Sequence, residues 1–200
     1  MNRRTERAFT VVELMIVIVI IGALSVVGIA SFARQSDARA VRAASADVLR
    51  LMQELRSRAL TTNRAVVMTV VANGTEGQST ITWSESPNNL CGGAVTVAGT
   101  LVFDPANPVG PMRNVSIMRA EPAATATMRM CFLPNGRVVE PATGRPFAPL
   151  TTGALGGRAY LELAPLDCTS GVCVALPYQM TLALGLNGLG EEMAPEFRIP

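Results

Sequence analysis

From position 14 to position 33 the chain carries no charged residue. At about 1.5 Å per residue a helix over this run spans the roughly 30 Å hydrocarbon layer of a bilayer, so the pattern predicts a transmembrane helix. Arg3, Arg4 and Arg7 precede the run with one opposing Glu6, and Arg34, Asp37 and Arg39 follow it. That compact basic leader favours a cytoplasmic N-terminus and a periplasmic or external remainder. A secretory signal would have a shorter apolar core. The small residues Gly28, Ala30 and Ser31 suit a cut behind it, but the run continues into more helix, which favours retention.

The periodicity then changes. Val41, Ala44, Val48, Leu51, Met52, Leu55 and Ala59 recur at three- and four-residue steps, with Arg42, Asp47, Arg50, Glu54 and Arg58 on the other faces. This predicts an amphipathic helix packed on a soluble domain. Fewer than four clean heptads are present, so packing on the chain's own sheet is preferred over a coiled coil. No proline occurs before Pro87, and Asn63 supplies the stop. Gly22 and Gly28 soften the first part of the helix, each costing about 1 kcal/mol against alanine; transmembrane packing explains them equally well.

Beyond Asn63 the texture is short β-rich runs between turn residues. Residues 65–72, 79–84, 95–103, 114–119 and 125–133 read as strands, with Asn73-Gly74 and Asn135-Gly136 as turns and 137–140 as a short return strand. The proline- and glycine-rich segments 104–111 and 141–157 read as surface loops. Residues 158–164 and 172–186 suggest a last hairpin. The fold class expected is α+β: a long N-terminal helix, half membrane and half amphipathic, packed on an antiparallel β-sheet.

Composition narrows the chemistry. At 200 residues the chain holds one such helix and one globular domain. Its 17 basic residues are all arginine, and the net charge is +2 with no histidine. Without histidine the usual neutral-pH base, most metal sites and the common triads are disfavoured. No carboxylate pair falls in a metal-ligand or catalytic spacing, so no enzyme activity and no cofactor or metal is expected. Trp83, Tyr160 and Tyr178 are expected in packing more than as exposed anchors. The four cysteines lack zinc-knuckle spacing, which points to disulfides in an oxidising compartment over four reduced thiols. Cys168 and Cys173 lie in the connection of the last hairpin and suit a local bridge, leaving Cys91 and Cys131 by elimination.

One residue breaks the apolar pattern: Glu13 stands at the head of the run, where a charge costs roughly 2.5 to 3.5 kcal/mol on insertion scales unless paired. Its context, Arg7-Ala8-Phe9-Thr10-Val11-Val12-Glu13-Leu14-Met15-Ile16-Val17, closely resembles the class III signal of type IV prepilins and pseudopilins. That signal is a basic leader, a small residue, Phe-Thr-x-x-Glu and an apolar helix. The resemblance implies cleavage by prepilin peptidase between Ala8 and Phe9, methylation of the new Phe9 amine, and pairing of Glu13 with the N-terminal amine of a neighbouring subunit. Most family members carry glycine where this chain has Ala8. The implied organisation is a cytoplasmic leader over residues 1–8, a transmembrane helix half over 9–33, an amphipathic half over 34–63 and a β-rich head over 64–200.

A second resemblance lies at Leu55-Arg56-Ser57-Arg58-Ala59-Leu60-Thr61-Thr62-Asn63-Arg64-Ala65-Val66-Val67 and at Cys131-Phe132-Leu133-Pro134-Asn135-Gly136-Arg137-Val138. These segments resemble the helix-to-strand junction and a later hairpin of the GspH/FimT family of minor pseudopilins and minor pilins. The implied function is structural: a minor subunit that primes or joins a type IV pilus or a type II secretion pseudopilus. Its implied partners are other pilins or pseudopilins, the prepilin peptidase, the inner-membrane assembly platform and, before assembly, membrane lipid. It would sit as a single-pass inner-membrane protein with a periplasmic head and later in the filament. Two alternatives remain at this stage: a DNA-binding minor pilin of a competence pilus, and a single-span anchored protein that never polymerises. Glu191, Glu192 and Glu196 around Arg198 make the C-terminus net acidic, which disfavours nucleic acid. Arg137, Arg145 and Arg158 are the candidate basic patch.

Overall fold

The computed structural model describes residues 11–75, 77–92, 96–104, 114–121, 127–146, 159–169, 172–184, 190–192 and 196–197. Side chains are described for all of these except 26–34, 169, 190–192 and 196–197. The chain divides into two compact units, Met1–Ser36 and Asp37–Pro200. A single helix, α1 (Val11–Thr62), runs through both, 52 residues in length.

In the second unit the stripe Val41, Ala44, Val48, Leu51, Met52, Leu55 and Ala59 is 8% exposed or less. The helix ends where its hydrogen-bonding economy is closed by side chains. The hydroxyls of Thr61 and Thr62 both donate to the carbonyl of Arg58, at 3.2 and 2.8 Å. Asn63 then takes the left-handed conformation at φ 54° that terminates helices.

Two antiparallel sheets follow. The first is ordered β3-β2-β1-β5-β6 and built from β1 (Val66–Val71), β2 (Ser79–Glu85), β3 (Thr96–Phe103), β5 (Thr127–Phe132) and β6 (Val138–Val139). The second is ordered β10-β9-β7-β4, from β4 (Val115–Glu121), β7 (Ala159–Thr169), β9 (Tyr178–Leu184) and β10 (Gly190–Glu192). Strand β8 (Val172–Ala175) pairs with β7, and β11 (Glu196–Phe197) with β9. The α+β class of a long N-terminal helix with antiparallel sheet structure stands as expected; among the described residues the sheet is divided into two, and the run expected over 172–186 is two strands as far as residue 184. Pro177 accounts for the latter break: β8 and β9 both pair with β7, and the ladder jogs at Leu176–Pro177 because proline has no N–H to contribute.

Both sheets supply one core. Met68, Ile81, Phe103, Met130 and Phe132 from the first sheet and Ile117, Leu161, Leu163, Met180 and Leu182 from the second belong to the same buried cluster as the helix stripe. The sheets are tied by buried polar contacts. Ser79 and Ser116, both inaccessible to solvent, share a hydrogen bond of 2.9 Å, and Ser116 Oγ also donates to the carbonyl of Gly74 at 2.8 Å. The backbone N–H of Gly74, at φ 57°, reaches the carbonyl of Ile117. The Asn73-Gly74 turn thus joins β1 to β2 and also docks β4.

Aromatic residues are used in packing. Tyr178 is buried and its hydroxyl accepts from Arg42 Nε at 3.3 Å. Trp83 lies across Gly99 of the neighbouring strand, where any Cβ would collide with the indole. On β4, Arg119 pairs with Glu121 at 2.9 Å. That hydrogen bond first, then Tyr160, hold the guanidinium above its ordinary pKa, with burial opposing. A raised cationic pKa adds stability that is lost only as pH climbs past the arginine range, so the Arg119 shift contributes no pH dependence near neutrality.

The core sets a stability prediction. Leu55, fully buried on the stripe, loses contacts with both its own burial and a cavity when cut back; Leu55→Ala should cost about 2–5 kcal/mol in denaturant unfolding. Leu60 is 47% exposed, and Leu60→Ala should stay within about 0.5 kcal/mol of the parent. Equal effects at the two sites would mean that the stripe does not face the core.

Candidate assembly site

In the first unit the apolar side chains described on α1 are exposed. Val11, Val12, Leu14 through Ile21 and Leu24 are each between 44% and 75% exposed. Exposure of consecutive residues puts apolar surface on every side of the helix, where a helix that served a core of its own would show a stripe. Such a cylinder needs lipid or other helices around it.

Glu13 lies on this helix among those valines and leucines. Farther along, Ser25 folds its hydroxyl back to donate to the carbonyl of Ile21 at 2.7 Å, which removes a polar group from the apolar surface. A Cβ added at Gly22 would meet nothing within 4 Å. Packing among the described residues does not require glycine there.

The processing residues Ala8 and Phe9 lie outside the described residues. The expected span, residues 14–33, runs past Ser25 into positions whose side chains are not described. Among the described residues no helix is long and apolar enough to cross a membrane.

The cysteines pair as Cys91–Cys131 and Cys168–Cys173. Cys168 and Cys173 stand opposite each other across β7 and β8, so their bridge clamps the distal end of that hairpin. Cys91–Cys131 ties the loop after β2 to β5 over a separation of 40 residues. That loop is held by more than the bridge. Ala65 N–H donates to the carbonyl of Asn88, Ser86 N–H donates to that of Ala65, and Asn88 Oδ1 accepts from Leu90 N–H and Ser86 Oγ. Beneath it lies a small second cluster of Ala65, Val67, Cys131 and Val139. Sequence reading missed this loop, although Pro87-Asn88-Asn89 is a turn signal that could have found it.

Of the candidate basic patch, Arg137 is exposed in the β5–β6 turn and Arg145 in the turn that closes on Glu140, whose N–H donates to the Arg145 carbonyl. A carboxylate-bearing residue thus stands beside one of its members; Arg158 lies outside the described residues. Among the described residues no group of three or more histidine, cysteine, aspartate or glutamate side chains could hold a metal ion.

Loop-closure entropy predicts unequal worth for the two bridges. Replacing Cys91 and Cys131 by serine should cost about 4 kcal/mol, and replacing Cys168 and Cys173 about 2 kcal/mol. Chemical denaturation of the two double variants checks the order; a reversal would show that the 40-residue closure is not what the first bridge contributes.

Residues 3–29 match the model of the prokaryotic N-terminal methylation motif. The match covers the basic leader, Ala8, Phe9, Glu13 and most of the exposed apolar helix, and stops short of the head. Comparison with curated proteins and with solved structures returned no match.

Proposed function

Taking the chain as a type IV pilin-like prepilin, we propose that it is a minor structural subunit of GspH/FimT type that primes or joins a type IV pilus or a type II secretion pseudopilus. The observation that carries this reading is the overlap of the methylation motif, residues 3–29, with a helix whose apolar side chains from Val11 to Leu24 are exposed.

The roles follow from chemistry. Prepilin peptidase cuts between Ala8 and Phe9 on the cytoplasmic side, and the new Phe9 amine is methylated. Alanine is small enough for a protease subsite that favours glycine. Residues 14–33 anchor the unassembled subunit in the inner membrane, with the head in the oxidising periplasm where its two disulfides persist. On assembly the apolar cylinder passes from lipid to the helices of neighbouring subunits. The Glu13 carboxylate receives the amine of an adjacent pilin, which sets axial register more than it adds affinity.

Two measurements test this. Terminal sequencing and mass of the mature protein from cells with active prepilin peptidase should show a chain beginning at methylated Phe9; a retained leader sinks the reading. In the same cells Glu13→Ala should abolish co-purification with other pilins while leaving the head's unfolding midpoint unchanged. Normal filament formation by that variant would remove the proposed role of the acid.

A further inference from the structure

The first sheet has two edges, and they are not alike. β6 is two residues long and runs directly into the turn at Glu140. β3 is eight residues long and, among the described residues, forms a ladder with β2 alone. Its sequence, TVAGTLVF, has no charge and no proline. Edge strands usually carry such residues because a long, uncharged edge invites pairing with another chain. Val97 is 63% exposed and Val102 is 41% exposed.

The one guard present is a bulge. The register with β2 shifts between Trp83 and Ser84, so that Trp83 faces Gly99 while Ser84 faces Val97, and Ala98 is the extra residue. The irregularity is confined to the first half of the strand. From Gly99 to Phe103 the ladder is regular, with Gly99, Leu101 and Phe103 on the helix side and Thr100 and Val102 on the outer side.

We propose that this half-strand is a self-pairing edge: β3 of one copy adds antiparallel to β3 of a second copy about a two-fold axis at Leu101. In this register Leu101 faces its counterpart, Thr100 faces the second copy's Val102, and Gly99 faces the second copy's Phe103. Every pair lies on one face, as antiparallel pairing requires. The alternatives fail by inspection. An axis at Thr100 drives Val102 onto the bulged Ala98, and an axis at Val102 carries the pairing off the strand onto Asp104. With no charge on either edge nothing repels the second copy, and the outer row of Thr100 and Val102 becomes a β-branched cross-strand pair, which stabilises sheets.

The contact is isologous, so it closes on itself and does not propagate. This inference does not depend on the proposed function.

Cross-linking of the full-length protein tests it. All four native cysteines are in disulfides, so a single new thiol reports alone. Across an antiparallel pair the Cβ atoms stand about 4.5–5.5 Å apart, close enough for a bridge after small adjustment. Leu101→Cys purified in detergent should oxidise to a covalent dimer of identical chains, and adding Val102→Lys should abolish that dimer. Val174→Cys, on the exposed hairpin, is the collision control. The proposal is overturned if Leu101→Cys cross-links no better than Val174→Cys, if Val102→Lys leaves the dimer intact, or if the captured partner has a different mass. Unchanged Trp83 fluorescence verifies that the variants keep the β2–β3 ladder; should Leu101→Cys disturb it, Thr100→Cys with Val102→Cys on the second copy makes the same bridge one residue away, with the same three outcomes.

Discussion

The head is held by one contact: the burial of a single helical stripe against two sheets at once. The seven apolar residues from Val41 to Ala59 enter the same cluster as strands of both sheets. Each large side chain fully buried there contributes about 1.5–3 kcal/mol. The stripe therefore supplies a sum comparable to the entire net stability of an ordinary domain. The remaining features adjust this arrangement. The Ser79–Ser116 bond joins the sheets at the Gly74 turn, and the Arg58–Glu85 ion pair ties the helix end to β2. That pair is partly exposed, at 42% and 25%, so screening leaves it worth about 1 kcal/mol or less.

The same helix is written in two hydrophobic codes. Past Ser36 its buried apolar residues fall on one face; from Val11 to Leu24 exposed apolar residues cover the circumference. A helix can be continuous in hydrogen bonding and yet be designed for two surroundings, because the backbone ladder is indifferent to which side chains face out. Gly22 and the Ser25 back-bond belong to the second code. They weaken a helix in water, but within an apolar surround they permit close approach and hide a hydroxyl.

How much of this was legible in the sequence follows from range. The stripe, the Asn63 stop and the two glycine turns are local periodicities or single-residue conformations, and the chain writes them openly. The bridges were legible for different reasons, one through short spacing and the other by elimination. What periodicity could not supply was the division into two sheets, because β4 joins β7 across a long sequence gap and only the register decides it. The break at Pro177 was written in the sequence but read as part of a longer run. The Trp83–Gly99 contact was hidden because a lone glycine in a strand does not announce which neighbour's ring it admits. At the assembly site the motif carried nearly everything, since the head shares no periodic signal with the function of its anchor.

Charge sets Glu13 apart from its neighbours on the helix. Carrying a carboxylate into an apolar layer costs roughly 2.5–3.5 kcal/mol on insertion scales, whereas the exposed side chains of Val11, Val12 and Leu14 gain by entering it. The proposed pairing of Glu13 with the amine of an adjacent subunit would offset part of that cost. Because breaking such a pair would strand a charge in apolar surroundings, its effect would fall on axial register more than on affinity.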